Sequence, residues 1–450
     1  MSSNIKDCCD PCSLAYLDLF QPRYLQTDIE DVQYVPYMPT STIEHGAPIK
    51  IYITGTTSSY ILLKPIAHFR WKIMDTTGAH PPDAGTSKVT VINALHHTAF
   101  NSITVHLNNL PISTPTVNDH LVGYVDCLLN SSDVVKKSTL ENLFWYKDES
   151  GKFANAEGEG FKNRMAITNA GTFETYGEIN HSLFKTGAVL PSGVDLSIQF
   201  HRNPDTYVLI DLTPAEEQGD SAGVKAIKAR KYKLQLLEAI VYVPRIRPTA
   251  KKLSSDAQLL ENQHARIFMN KVDVKSLTIP NAVSTKSFHS IYTGPLPKRV
   301  LCFMIPNATS GYEHNGLDFQ ANNLRNISVS IGARKWPIRE YAMDFAKGII
   351  AKPYADLFDA LNLEGNCADI GLTKKDFKDG FTIFGWDLTT SKCASSLDHM
   401  DAPREGSMSI DMQFRTPTTS TLSLIVLSEF TNVIEFDKYR NVRVIEHFIG

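Results

Sequence analysis

Cys8, Cys9 and Cys12 are the residues of this 450-residue chain that most suggest chemistry. Cys9 and Cys12 have the Cys-x-x-Cys spacing of half a zinc site, in which two thiolates on one turn share a tetrahedral metal. No second pair follows at usable spacing, so a metal-free N-terminal arm is expected. His96-His97 lies in a run leading into a strand, where adjacent side chains face opposite ways and could not both ligate one ion without a bend. A structural role is expected there. Asn130-Ser-Ser, Asn180-His-Ser, Asn307-Ala-Thr and Asn326-Ile-Ser match the glycosylation pattern, but no secretory signal precedes them and they read as chance. "EGEGF" and "SGK" lack the Gly-x4-Gly-Lys spacing that cradles a phosphate. Ser, His and Asp are abundant, yet no local signature singles out a nucleophile. The densest basic run, "GVKAIKARKYK" with Lys225, Lys228, Arg230, Lys231 and Lys233, reads as a solvated loop entering a strand from Lys233. Its alternative use is contact with DNA or an acidic partner. The expectation is a non-enzyme with no catalytic, cofactor-binding or metal-binding residues and no cofactor.

Composition agrees with that restraint. Lys+Arg 45 against Asp+Glu 48 leaves a formal net charge of -3, whereas a dedicated nucleic-acid binder would be strongly basic. Nowhere do 18 apolar residues run together, so no membrane-spanning segment is expected. The N-terminus has no basic flank followed by an apolar run, which points to a protein made inside a cell and not secreted. Seven Cys, an odd number scattered over a long chain, fit reduced thiols better than a disulfide framework. The length favours two domains of roughly 200 residues.

The elements that would position any site are mostly strands. In "LPSGVDLSIQFHRNPDTYVLI", Val194, Leu196, Ile198 and Phe200 alternate with polar residues, the period of a strand with one buried face. An Asn-Pro-Asp turn then breaks it. "PIKIYITG", "NSITVHLNN", "YKLQLLEAIVYVP", "RNISVSIGA", "SMSIDMQF" and "TLSLIVLSEF" repeat the pattern, which is that of an all-β sandwich or barrel. Two helices are expected. One lies in "TVNDHLVGYVDCLLNSS", with Val117, Leu121, Tyr124, Val125 and Leu128 on one face. The other lies in "KPYADLFDALNLEG", with Tyr354, Leu357, Phe358 and Leu361 on one face, Pro353 in its first turn and Gly365 past its end.

The two halves can be laid over each other. Ile103, Val105 and Leu107 match Ile327, Val329 and Ile331 at an offset of 224. Tyr124 and Asp126 match Tyr354 and Asp356 at an offset of 230, and Gly193 matches Gly406 at 213. Three matches in one order at nearly constant spacing indicate one β-domain used twice. A domain of roughly 180 to 200 residues with about eight short strands and a helix in a long crossover has the form of a jelly roll. The expected fold is all-β: two tandem jelly-roll sandwiches with a few short helices in loops. The expected division is an arm 1–44, a first roll 45–245, a polar, strand-poor connection 246–266, a second roll 267–440 and a tail 441–450.

"VTVINALHHTAFNSITVHLNNLPIS", "LPSGVDLSIQFHRNPDTYVLI", "YTGPLPKRVLCFMIPNA", "DGFTIFGWDLT" and "SEFTNVIEFDKYRNV" resemble the signature blocks of the double jelly-roll major capsid proteins of Polinton (Maverick) elements and adintoviruses, relatives of adenovirus hexon. The blocks come in family order over residues 45 to 443. One departure is Asn315-Gly316-Leu317-Asp318-Phe319, where the family block reads Asn-Pro-Phe. The resemblance implies a homotrimeric, pseudo-hexagonal capsomer tiling an icosahedral shell. It also implies contacts with neighbouring capsomers, penton and minor capsid proteins, a place in the virion, synthesis in the host cytoplasm or nucleus, and weak contact with packaged DNA. Independently of the family, two rolls repeated about a three-fold axis place six similar domains around a centre. Phe144, Trp145 and Tyr146 in "ENLFWYKDESGKF", with "REYAMDFAKGII", are expected to supply interface, at least one of the three against a neighbouring subunit. The competing reading is a jelly-roll carbohydrate-binding or other interaction module. Against it, the 14 His show no cupin-like grouping, and Trp71, Trp145, Trp336 and Trp386 are too scattered for a sugar platform.

Overall fold

The computed structural model describes residues 26–44, 46–83, 85–112, 117–217, 219–307, 311–363, 369–394, 401–402 and 404–445. Cys8, Cys9, Cys12 and Gly365 therefore lie outside the described residues. Eight principal strands form the first half: β1 (Ile29–Tyr37), β2 (Ile49–Ile53), β3 (Ile66–Asp75), β4 (Phe100–Leu107), β5 (Leu110–Pro111), β6 (Thr172–Glu178), β7 (Leu196–Arg202) and β8 (Tyr232–Pro248). Eight more form the second: β9 (Ala265–Ile279), β10 (Thr285–Pro295), β11 (Arg299–Pro306), β12 (Leu324–Ile331), β13 (Arg334–Trp336), β14 (Phe384–Asp387), β15 (Glu405–Phe414) and β16 (Leu422–Phe436).

The pairing is the same in both halves. Antiparallel sheets run β1-β8-β3-β6 and β2-β7-β4-β5 in the first, and β9-β16-β11-β14 and β10-β15-β12-β13 in the second. Adding eight to each strand number converts one half into the other. Two four-stranded antiparallel sheets in this order are a jelly roll, so the chain is a double jelly roll. Short strands Tyr60–Leu62 and Val189–Leu190 extend the first sheet, and Val442–Ile445 pairs with the end of β16.

Period-two burial explains the strands. Ile49, Ile51 and Ile53 are buried while Lys50 and Tyr52 are exposed. In β7, Leu196, Ile198 and Phe200 are buried and pair on one side with Ile53, Ile51 and Ile49 and on the other with Leu107, Val105 and Ile103. Each such side chain contributes about 1.5–3 kcal/mol on leaving water. A one-residue slip would turn all three outward, which fixes the register. Asn108 and Asn109, at φ 47° and 65°, supply the two positive-φ positions of the tight β4–β5 hairpin.

Several expectations change. Ile29–Tyr37, inside the stretch expected as an arm, is a strand paired with β8 along its length. Within 246–266, β8 continues to Pro248, β9 starts at Ala265, and a helix, Ala250–Asn262, lies between them. Its N-terminus is capped by the Thr249 hydroxyl, which accepts from the Lys252 amide. The first expected helix is α1 (Asp119–Leu129), with Leu121, Tyr124, Val125 and Leu128 buried as anticipated. Val117 precedes it and is 65% exposed, because the turn at Asn118 takes it off the helical face. The second is α2 (Ala351–Ala360), with Pro353 in its first turn and Leu357 and Leu361 buried. The basic run is not a loop, since Ala222–Lys228 is a helix capped by Ser221 and the strand begins at Tyr232. Helix Glu159–Asn169 was not anticipated because its polar sequence shows little apolar periodicity. Both α1 and α2 occupy the connection between the fifth and sixth strands of their roll.

Val105 is fully buried, whereas its neighbour His106 is half-buried on the other face. Replacing Val105 by Asp places an unpaired charge in the core and should cost several kcal/mol in denaturant unfolding. His106→Asp should cost under about 1 kcal/mol. Equal losses would refute the facing of β4.

Candidate functional site: the seam between the rolls

The residues that first suggested chemistry are dispersed. His96 and His97 sit on a helical turn, Leu95–Thr98, and not in a strand run, and both are buried. Burial pushes the His97 imidazole down to about 4 and also lowers His96 well below its ordinary value. Among the described residues no group of three His, Cys, Asp or Glu converges as a metal site. Cys127 and Cys302 are buried thiols, and burial raises Cys127 to about 12. In the basic run, Lys228 pairs with Asp220 at 2.7 Å and Lys233 donates to the Thr76 carbonyl. Asn326 is buried, its side-chain oxygen accepting from the Tyr341 amide. Trp71, Trp145 and Trp386 are buried and Trp336 is half-buried, so none forms an exposed platform.

What the sequence reading missed is a polar and aromatic joint between the rolls. Arg164, on helix Glu159–Asn169, is fully buried. Its guanidinium donates to the Val91 carbonyl at 3.0 Å, the Tyr146 carbonyl at 2.8 Å and Asp148 at 2.8 Å. The other Asp148 oxygen accepts from the Asn315 amide of the second roll at 3.3 Å, and that amide also donates to the Phe153 carbonyl. Lys147 reaches across to the Gly371 carbonyl and to Asp376, each at 2.8 Å. Buried Lys136 donates to the carbonyls of Leu128 in one roll and Ile370 in the other, and desolvation brings its pKa down to about 8. Arg164 and Lys147 are thus matched by carboxylates and Lys136 by two carbonyl oxygens, which keeps burial from being prohibitive.

Aromatic rings complete the joint. Phe319 lies 4.1 Å from Phe303 and meets Tyr124 of α1 edge-on at 5.8 Å, centroid to centroid. Phe153 of the first roll packs on Phe381 of the second at 5.0 Å. Gly316 is required here, because a Cβ would stand 2.6 Å from the Tyr207 ring. The segment Asn315 to Phe319, singled out for departing from a family block, therefore joins the two rolls. That departure was its only sequence signal.

The three consecutive rings of the aromatic loop have separate partners. Phe144 takes φ 65°, and this twist sends consecutive rings in different directions. Phe144 packs on Phe173 at 5.1 Å, Trp145 stacks on Tyr124 at 5.3 Å, and half-buried Tyr146 meets Phe144 edge-on. Phe144 and Trp145 are buried within the chain, which leaves half-buried Tyr146 as the ring of the three with surface for a neighbouring subunit. In "REYAMDFAKGII", Tyr341, Met343, Phe345 and Ile350 are also buried, while Ile349 is 56% exposed.

No protein-family model matches the chain, and no curated protein matches it in sequence. Solved structures do. A chain of the Sputnik virophage structure superposes with a TM-score of 0.66 at 10% identity, covering 98% of this chain and 94% of that one. The mavirus major capsid protein gives 0.57 at 9% identity, over 99% and 96% of the two chains. The Faustovirus major capsid protein gives 0.54 at 8%, over 92% of each. At such identities the likeness is one of fold, and it spans both rolls and the seam between them.

Two measurements probe the seam. Gly316→Ala should destabilise by about 1–3 kcal/mol through overpacking, and by less in a Tyr207→Ala background; equal costs in both would remove the proposed contact. His97, His120 and His181 are held neutral by burial, at about 4, 3 and 4. Their folded pKa values lie below the unfolded value near 6.5, so the unfolded chain binds more protons as pH falls. Stability should be unaffected by them above about pH 7 and fall from there towards pH 4, by about 2 kcal/mol per His at pH 5. An unfolding midpoint unchanged between pH 7 and 5 would contradict this.

Proposed function

We propose that the chain is a major capsid protein whose homotrimer forms a pseudo-hexagonal capsomer in an icosahedral viral or virus-like shell. One observation carries the reading: two rolls of identical strand order are locked side by side in one chain by a seam of ion pairs, hydrogen bonds and ring contacts. Three such chains about an axis place six similar domains in a ring, a near-hexagonal tile, and closed rotational symmetry satisfies each head-to-tail contact. The full-length likeness to two major capsid proteins supports the same role. The sequence blocks support a Polinton or adintovirus type. The units of assembly are the two rolls, the expected segments 45–245 and 267–440 enlarged by β1 and by Val442–Ile445.

In this reading the partners are the homotrimer mates, neighbouring capsomers, and penton and minor capsid proteins. The protein is made in the host cytoplasm or nucleus, is not secreted, and resides in the virion capsid. The helix Ala222–Lys228 and the basic residues after it are the candidate weak contact with packaged DNA. A carbohydrate-binding module is less well supported, since the indoles are mostly buried. Light scattering after size exclusion should give about three times the 50.2 kDa chain mass, persisting on dilution to low micromolar. A monomer at those concentrations would refute the tile reading and favour the interaction module.

A further inference from the structure

The link between the rolls borders an apolar groove of about 520 Å³. One wall is helix Ala250–Asn262. Its Leu253, Ala257 and Leu260 recur at helical spacing in the lining, and Leu259, 50% exposed, lies beside them. The other wall belongs to the first roll: Ile29 at the start of β1 and the short strand Val189–Leu190. Ile29 and Val189 are 39% and 38% exposed. Exposed aliphatic residues are ordinary singly, but three around one concave space mark a binding surface.

The second roll contributes Arg440, from the turn between β16 and Val442–Ile445. Arg440 lines the groove and donates to the Ser192 carbonyl at 2.9 Å, while its own carbonyl accepts from the Asn108 amide at 2.8 Å. Charges on the helix side are paired as well: Asp256 accepts from Lys252 at 2.6 Å and from the Tyr60 hydroxyl at 2.9 Å. A site for a phosphate or a small polar ligand would aim unpaired donors inward, and these donors are engaged by the protein itself. The groove therefore selects its occupant by apolar contact.

We infer that the occupant is Ser13–Phe20 of the same chain. This stretch, "SLAYLDLF", has six apolar residues in eight and a single charge, Asp18. The described chain begins at residue 26, and Asp28 and Ile29 already line the groove, so the preceding residues join the fold at its rim. The eight residues from Phe20 to Asp28 can span roughly 26–29 Å when extended, and Gln21-Pro22-Arg23 supplies a turn, with proline at a favoured position. Leu14, Leu17 and Phe20 can then return over Leu259 and Val189. So placed, the N-terminal arm is a clasp touching the first roll, the linking helix and Arg440 of the second roll at once. The contact lies within one chain and is independent of the assembly proposed above.

The test uses the full chain. The backbone amides of residues 14–20 should exchange hydrogen at least about tenfold more slowly than in an unstructured peptide of the same sequence. Leu259→Glu should abolish that protection while the amides of β7 keep theirs, which shows that the rolls remain folded. Independently, Leu259→p-benzoylphenylalanine should on irradiation link to residues 13–25, and the product should run at the monomer mass on a denaturing gel. Unprotected residues 14–20 in the wild type, protection that survives Leu259→Glu, or the absence of a link to residues 13–25 would overturn the assignment. A link carried by a dimer-sized product would overturn it too, because the occupant would then be the segment of a second copy.

Discussion

Helix α1 is buried on two sides, and the rest of the molecule depends on that double packing. On one side Gly123 lets it approach the first roll so closely that a Cβ would lie 2.6 Å from that of His97. On the other it covers Leu301 and Leu427 of the second roll and offers Tyr124 to Phe319. Eight of its eleven residues are buried, including Cys127 and His120. A helix this enclosed has little amphipathic asymmetry to give up; it is an internal spacer between two sheets. Removing it would expose both the flank of one sandwich and the part of the other's sheet around Leu301 and Leu427.

The polar part of the seam works differently. Arg164, Asp148, Asn315, Lys147 and Asp376 add little net stability by being charged, because desolvation offsets most of the attraction between buried ions. Their effect is directional. Fixed donors and acceptors accept only one relative placement of the rolls, whereas the ring contacts around Phe319 and Phe381 would tolerate small slides. Apolar packing thus supplies the adhesion and the ion pairs supply the angle. In the capsid reading proposed above, the angle between the two halves is the functional quantity.

Much of this was legible in the chain. The alternation in Leu196 to Phe200, the match of Ile103, Val105 and Leu107 with Ile327, Val329 and Ile331, and the paired helices around Tyr124 and Tyr354 all reflect local periodicity, which is set by residues close in sequence. The seam was not legible, because Asp148 and Asn315 lie 167 residues apart and nothing in either neighbourhood announces the other. The helix Ala250–Asn262 was hidden for another reason: Leu253 and Leu260 mark one face, but Lys251 and Lys252 before Leu253 and Ser254 and Ser255 after it read as linker. The partners of Phe144 to Tyr146 were not legible either, because the left-handed residue at Phe144 sends consecutive rings to different parts of the fold.

Strand β16 is buried on both faces over most of its length, and its partner β9 lies between 143 and 171 residues earlier in the chain. Such pairing closes long loops before any contact rewards it, and the first roll does the same, its β1 and β8 pairing across 204 to 219 residues. The outer side of β16 and β11 also needs a surface from the first roll. Synthesis from the N-terminus delivers that surface first. The order of the two rolls along the gene is then also an order of events, with the first half serving as the template on which the second half closes.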